Sequence, residues 1–201
     1  MTPNLQIELR RFISSNVISK LNKFYYENDA LLIKAIDVAI GTVLMGCHNN
    51  RDEKSFKKMI KSLENTLFYK EIDFVSGRIL SVDDCYKTEG NVFLEELFAN
   101  KYGRITEMIS NEVGVKSETA REVLNFSVLL TLSYLNYNAE ITSSLKLLLD
   151  EQKREILNSI PPGIKIILGF SCYESFVEEK TSPRFGKLIF NFFGHKAVNS
   201  N

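Results

Sequence analysis

The sequence predicts an all-α protein, a single-domain bundle of about eight to ten short helices. Three observations carry that prediction. Apolar residues recur at helical spacing along most of the chain, from Leu5 to Phe170. No stretch alternates apolar and polar residues over a strand's length, and no hairpin turn joins two such stretches. The stops are helix stops: Asn49-Asn50, Gly114 and, sharpest of all, Pro161-Pro162-Gly163.

The elements follow in order. Thr2 caps a first helix with Pro3 in its opening turn, and Leu5, Leu9 and Phe12 form its stripe. Ser14 and Ser15 reopen the chain for Val17, Ile18, Leu21 and Phe24. Asn28 or Asp29 caps a longer helix with Ile33, Ile36, Ile40, Val43, Leu44 and Cys47 on its inner side. Phe56, Met59, Ile60 and Leu63 make a fourth stripe, with Lys54, Lys57, Lys58 and Lys61 on the outer face. Residues 66–90 are the least legible, with turn signals at Gly77, Asp83-Asp84 and Gly90. Asn91 then caps a helix holding Val92, Leu94, Leu97 and Phe98, and Gly103 breaks the chain. Ile105, Met108 and Ile109 lead to the Gly114 stop. Ser117 caps a long helix reaching about Tyr137, with Glu118 in its first turn. Thr142 or Ser143 opens a helix that runs to Ile160 with a break near Asp150, and a short apolar piece follows from Ile164 to Phe170. Short-then-long helix pairs recur at 17–50 and 105–138, a weak hint of duplication.

Composition narrows the function. Lys plus Arg and Asp plus Glu each number 25, so the net charge is zero and the chain as a whole recruits neither nucleic acid nor an anionic surface. The first residues show no basic segment followed by an apolar run, so no signal peptide is expected. The uncharged stretch from Val123 to Ala139 is too polar for a membrane span and is expected to be a buried helix. Cys47, Cys85 and Cys172 stand far apart, which suits free thiols in a reducing compartment and a cytoplasmic location. His48 and His195 have no partner at metal-ligand spacing. Adjacent carboxylates such as Asp83-Asp84 and Glu95-Glu96 diverge. There is no phosphate loop, GxSxG, HExxH or EF-hand pattern. The chain is therefore expected to be non-enzymatic, with no catalytic residue, cofactor or metal.

Residues 109–124 have the pattern of a helix-turn-helix. Ser110 sits four before the turn glycine Gly114, and Val115, Ala120 and Val123 mark where two steeply crossed helices touch. A DNA-reading helix would need Lys116, Thr119, Arg121 and Asn125 on its exposed side. Between Arg104 and Asn125, however, three basic residues face four acidic ones, so the phosphate-neutralising attraction is missing. The helix also continues into Phe126-Ser127-Val128-Leu129-Leu130, as a bundle centre would. DNA binding through residues 105–125 stays the alternative reading.

A family resemblance joins at this point. Leu145-Lys146-Leu147-Leu148-Leu149-Asp150-Glu151-Gln152-Lys153 leads to Ile160-Pro161-Pro162-Gly163-Ile164 and Leu168-Gly169-Phe170. With Asn16-Val17-Ile18-Ser19-Lys20-Leu21, Lys34-Ala35-Ile36-Asp37, Leu97-Phe98, Ile109-Ser110 and Gly114-Val115, the chain resembles the bacterial YidB-like proteins, a domain-of-unknown-function family. The resemblance covers about residues 3–170. Family members carry prolines at positions that fall on Gly41 and Leu129, and favour a glycine where Tyr26 stands. The resemblance implies a homeodomain-like arrangement of the helices. It implies no activity.

Residues 1–170 thus read as the helical domain and 171–201 as a basic, Phe-rich tail. From Lys180 onward there are four Lys or Arg residues and no acidic one. Arg184, Phe185, Lys187, Phe190 and Phe193 are the candidate partner-binding residues, although folding back over the chain's own core is the favoured reading of the segment, since Phe190, Phe192 and Phe193 would cover more than one helix face. The expected function is protein–protein interaction or scaffolding, with self-association included. Nucleic acid and membrane-surface contact through the tail are not favoured.

Overall fold

The structure is a computed structural model that describes residues 4–139 and 145–171. Its helices are α1 (Leu5–Arg10), α2 (Ser15–Leu21), α3 (Asp29–Asn50), α4 (Lys54–Ser62), α5 (Leu67–Lys70), α6 (Cys85–Phe98), α7 (Tyr102–Val113), α8 (Ser117–Ala139), α9 (Leu145–Ser159) and α10 (Pro162–Leu168). The only strands among the described residues are β1 (Ile72–Asp73) and β2 (Arg78–Ile79), paired antiparallel with Ile72 opposite Ile79. The all-α expectation holds.

Two long helices make the centre. α3 has 22 residues and α8 has 23, and they pack on one another. α6 lies against α8, and α9 along α3. Both central helices are buried nearly all round through their middle turns, α3 with mostly apolar side chains and α8 with Asn125, Ser127, Thr131 and Ser133 among its leucines and valines. α3 is long and apolar enough to cross a membrane by length and composition alone, yet here Leu32, Ala35, Ile36, Val38–Ile40 and Val43–Met45 are buried in the bundle. On α8, residues 122–133 are all buried, as the uncharged stretch predicts.

Close helix approach has identifiable causes. A Cβ at Gly90 would lie 2.5 Å from the Asn125 carbonyl oxygen, so glycine sets the α6–α8 distance. At Gly46 a Cβ would meet the Phe98 ring at 2.5 Å. α1 is tied to α9 by polar bonds: the Leu5 amide donates to Gln152 Oε1 at 2.7 Å and Gln6 Nε2 donates to Ser159 Oγ at 2.8 Å.

Several boundaries differ from the sequence reading. Thr2, Pro3, Thr142 and Ser143 lie outside the described residues, and Asn4 caps α1 through its side chain. Asn91 does not cap a helix: α6 already runs from Cys85, and Gly90 is a packing glycine within it. The break after α6 falls at Ala99, with φ +49°, rather than at Gly103, which lies in the first turn of α7. α9 passes through Asp150 unbroken, because that side chain turns outward from the helix axis to meet His48 and Arg51. Pro162 opens α10 as well as following the stop after α9, since a proline at the first helical position loses no hydrogen bond. Residues 66–90 combine helix α5, the β1–β2 ribbon turning at Gly77, and the start of α6.

Across residues 109–124, α7 and α8 follow one another through a three-residue link. Gly114 ends α7 at φ +84°, and the Ser110 hydroxyl donates to the Val115 carbonyl at 2.7 Å across the turn.

Candidate functional site

The loop between α2 and α3, residues 22–28, is bonded both within itself and to α8. Asn22 ends α2, and its side chain spans the loop. Asn22 Nδ2 donates to the Glu27 carbonyl at 2.8 Å, and Asn22 Oδ1 accepts from the Glu27 amide at 2.7 Å. Asn28 Oδ1 then accepts from the Ala30 amide at 2.8 Å and starts α3. A second set of bonds fixes the loop to α8. Glu27 Oε1 accepts from the Lys116 amide and from the Thr119 hydroxyl, each at 2.8 Å. The Lys116 ammonium donates to the Tyr25 carbonyl.

Within this frame Tyr26 sits at φ +53°, the left-handed region that side chains with a Cβ avoid. Tyr26 is 86% exposed, and Phe24 near it is 60% exposed. Lys23 Nζ stands 4.9 Å and Lys87 Nζ 5.9 Å from the Phe24 ring centroid, within cation–π range.

Behind the aromatic edge lies a recess of about 90 Å³, whose walls include Lys20, Lys23, Tyr25, Asp84, Tyr86 and Lys87. Glu122 of α8 approaches it from below. Its carboxylate accepts from the Tyr86 hydroxyl at 2.7 Å and meets Lys87 Nζ at 3.5 Å. Burial pushes the Tyr86 phenol well above the ordinary range, and the bond to Glu122 adds to that. Burial and Glu122 likewise raise Tyr25. Burial alone would lower the Lys87 ammonium, but Glu122 and Asp84 outweigh it and the net shift is upward. The phenols therefore hold their protons and Lys87 its charge. The Glu122 carboxylate is already occupied by a donor and a cation, so the group fixes α6 to α8.

Elsewhere, His48 is buried with Nε2 3.0 Å from Asp150 Oδ1, which also meets Arg51 Nε at 3.0 Å. Burial and Arg51 lower the His48 pKa. Cys47 is fully buried and its thiol is pushed up by that burial. Among the described residues no three His, Cys, Asp or Glu side chains converge as metal ligands.

The residues singled out for DNA do not share an exposed face. Thr119 is fully buried and Asn125 nearly so, which corrects the expectation that all four point outward. Lys116 is turned to loop 22–28, while exposed Arg121 borders a separate cleft with Asn91 and Glu107. The covering loop and α6 are the physical reason. The five tail residues Arg184, Phe185, Lys187, Phe190 and Phe193, and the tail as a unit, lie outside the described residues. Phe24, read as part of the α2 stripe, is exposed because α2 ends at Leu21. Sequence reasoning missed the aromatic edge; its available signal is three consecutive aromatics, Phe24-Tyr25-Tyr26, framed by Asn22 and Asn28.

Comparison with known protein families, curated proteins and solved structures returns no match for the chain.

Proposed function

We propose that the chain is a non-enzymatic, cytoplasmic helical module that docks another protein through the aromatic edge of loop 22–28. One observation carries the reading: Tyr26 is held, ring outward, in a backbone conformation that opposes its own side chain. Such strain costs on the order of 1–2 kcal/mol and persists only where surrounding bonds overrule it. Here the bonds are those of Asn22, Glu27 and Lys116. A rigid aromatic loses little entropy on binding, so a pre-set Tyr with a neighbouring Phe suits an anchor role. Lys20 and Lys23 share the adjoining recess with Asp83 and Asp84, and Lys87 is paired with Asp84 and Glu122, so the polar rim beside the apolar contact carries both signs.

The YidB-like resemblance is consistent with this reading on its motifs alone. A glycine where Tyr26 stands would take the same turn without a ring. The aromatic edge would then be this chain's own addition to a shared scaffold.

The test is a photoreactive phenylalanine analogue at position 26 of the full chain, compared with one at exposed Val75. A discrete adduct in producing cells from position 26 alone supports the reading. An adduct formed by the purified chain by itself identifies a second copy as the partner. Equal, diffuse labelling from both positions contradicts it.

A further inference from the structure

The other described glycines either admit a close neighbour or hold a left-handed turn. Gly103 does neither. It stands in the first turn of α7 with an ordinary helical backbone, and a Cβ there would meet nothing within 4 Å. Glycine disfavours a helix relative to alanine, so this position gives up stability and gains open space. The space is a cleft of about 270 Å³ between α6, α7 and α8, larger than the recess behind Phe24. Gly103 and Glu107 lie one turn apart on α7, and Ser117 and Arg121 one turn apart on α8, so each helix lends the cleft one ladder of side chains. Tyr102 and, from α6, Asn91 complete the walls.

The cleft holds one charge of each sign, and the two do not meet. Arg121 and Glu107 are both exposed, and among the described residues neither forms an ion pair. Arg104 and Glu118, the opposite charges one turn away on each helix, lie outside its walls, and Glu122 is already held by Tyr86 and Lys87. Neutral acceptors stand beside the pair. Asn91 Nδ2 donates to Glu95 at 3.0 Å, which leaves the Asn91 carbonyl oxygen as an acceptor. One turn beyond Arg121, Asn125 is buried against Gly90, the neighbour of Asn91, and its Oδ1 has no hydrogen-bond partner. A buried acceptor without a partner is uncommon. The region thus offers a forked cation on α8 and unpaired oxygens on α6, α7 and α8.

We propose that this cleft binds a free α-amino acid, with Arg121 taking the carboxylate in a forked pair and Glu107 taking the ammonium group. Asn91 and the Ser117 hydroxyl supply neutral bonds, and Gly103 keeps the space clear. The cleft is smaller than the ~300–1,000 Å³ of sites for drug-sized molecules, so the occupant is small. An ion of one sign alone would leave the opposite charge unmatched, whereas a zwitterion answers both. The proposal does not depend on loop 22–28.

The experiment is isothermal titration of the full chain with each standard L-amino acid, and with acetate and methylammonium as the two halves. At least one amino acid should bind, and neither half should bind comparably. Arg121→Gln and Glu107→Gln should each weaken binding about 10-fold or more. Their melting temperatures should be unchanged, since both side chains are exposed. Gly103→Leu should remove binding by filling the cleft, while Gly103→Ala should raise the melting temperature of the free chain. Absence of binding by every amino acid, acetate binding as tight as that of the amino acid, or binding that survives Arg121→Gln overturns the proposal.

Discussion

Glu27 accepts the Thr119 hydroxyl proton across 92 positions of chain, with 2.8 Å between the oxygens. The same carboxylate oxygen takes the Lys116 amide at the start of α8. A negative group at the first turn of a 23-residue helix also meets the positive end of its dipole. One side chain therefore serves as the outer cap of α8 and the anchor of loop 22–28. It also accounts for why Thr119 faces inward.

Tyr26→Gly should stabilise the fold by ~0.5–1 kcal/mol, because it relieves the left-handed strain and removes an exposed ring. Tyr26→Ala keeps the strain and should be near neutral. Thermal melts of the two variants check this, and a Tyr26→Gly chain that melts lower than the Ala variant would contradict it.

Gly90→Ala should cost more than ~2 kcal/mol. The new methyl would meet the backbone of Asn125, which cannot swing aside as a side chain can. Denaturant titration would show a lowered midpoint; an unchanged midpoint would mean that α6 and α8 stand further apart than described.

Thr131→Val should stabilise by about 1 kcal/mol. The Thr131 hydroxyl is fully buried without a hydrogen-bond partner, as are those of Ser127 and Ser133. Replacing an unsatisfied hydroxyl by a methyl of the same shape removes its desolvation cost. A lower melting temperature for the valine variant would argue against it.

His48 sets a pH dependence. Burial first, and then Arg51, place its folded pKa below the ordinary 6.5, so the unfolded chain binds the proton more readily. The stability it contributes is present above pH ~6.5 and is lost as pH falls toward the folded value. Between pH ~7 and ~5.5 the native chain should lose stability relative to His48→Gln. Parallel melts across that range would read the difference, and a constant gap would contradict it.

The helices with one buried face and one exposed face were legible. Phe56, Met59, Ile60 and Leu63 are all buried as their spacing predicts, and Gly114 stops α7 because its left-handed turn is a local property. What failed depends on neighbours far away in sequence. Gly90 reads locally as a turn and becomes a packing glycine only because Asn125 arrives against it. Thr119 and Asn125 read as polar, outward residues and are buried because loop 22–28 and α6 cover them. Phe24 continues an apolar stripe on paper, yet Asn22 bonds the chain into a loop before the stripe completes. The aromatic edge was therefore visible only as composition.

The central claim is that the Glu27 clamp presents Tyr26 and Phe24 for docking. Adding Glu27→Ala to the chain carrying the photoreactive analogue at position 26 tests it most directly. Without the carboxylate, loop 22–28 loses its bonds to the Lys116 amide and the Thr119 hydroxyl, while Asn22 still closes it and the Lys116 ammonium still reaches the Tyr25 carbonyl. Adduct yield should fall severalfold in a chain that still melts cooperatively. An undiminished yield would show that partner contact at position 26 owes nothing to the clamp.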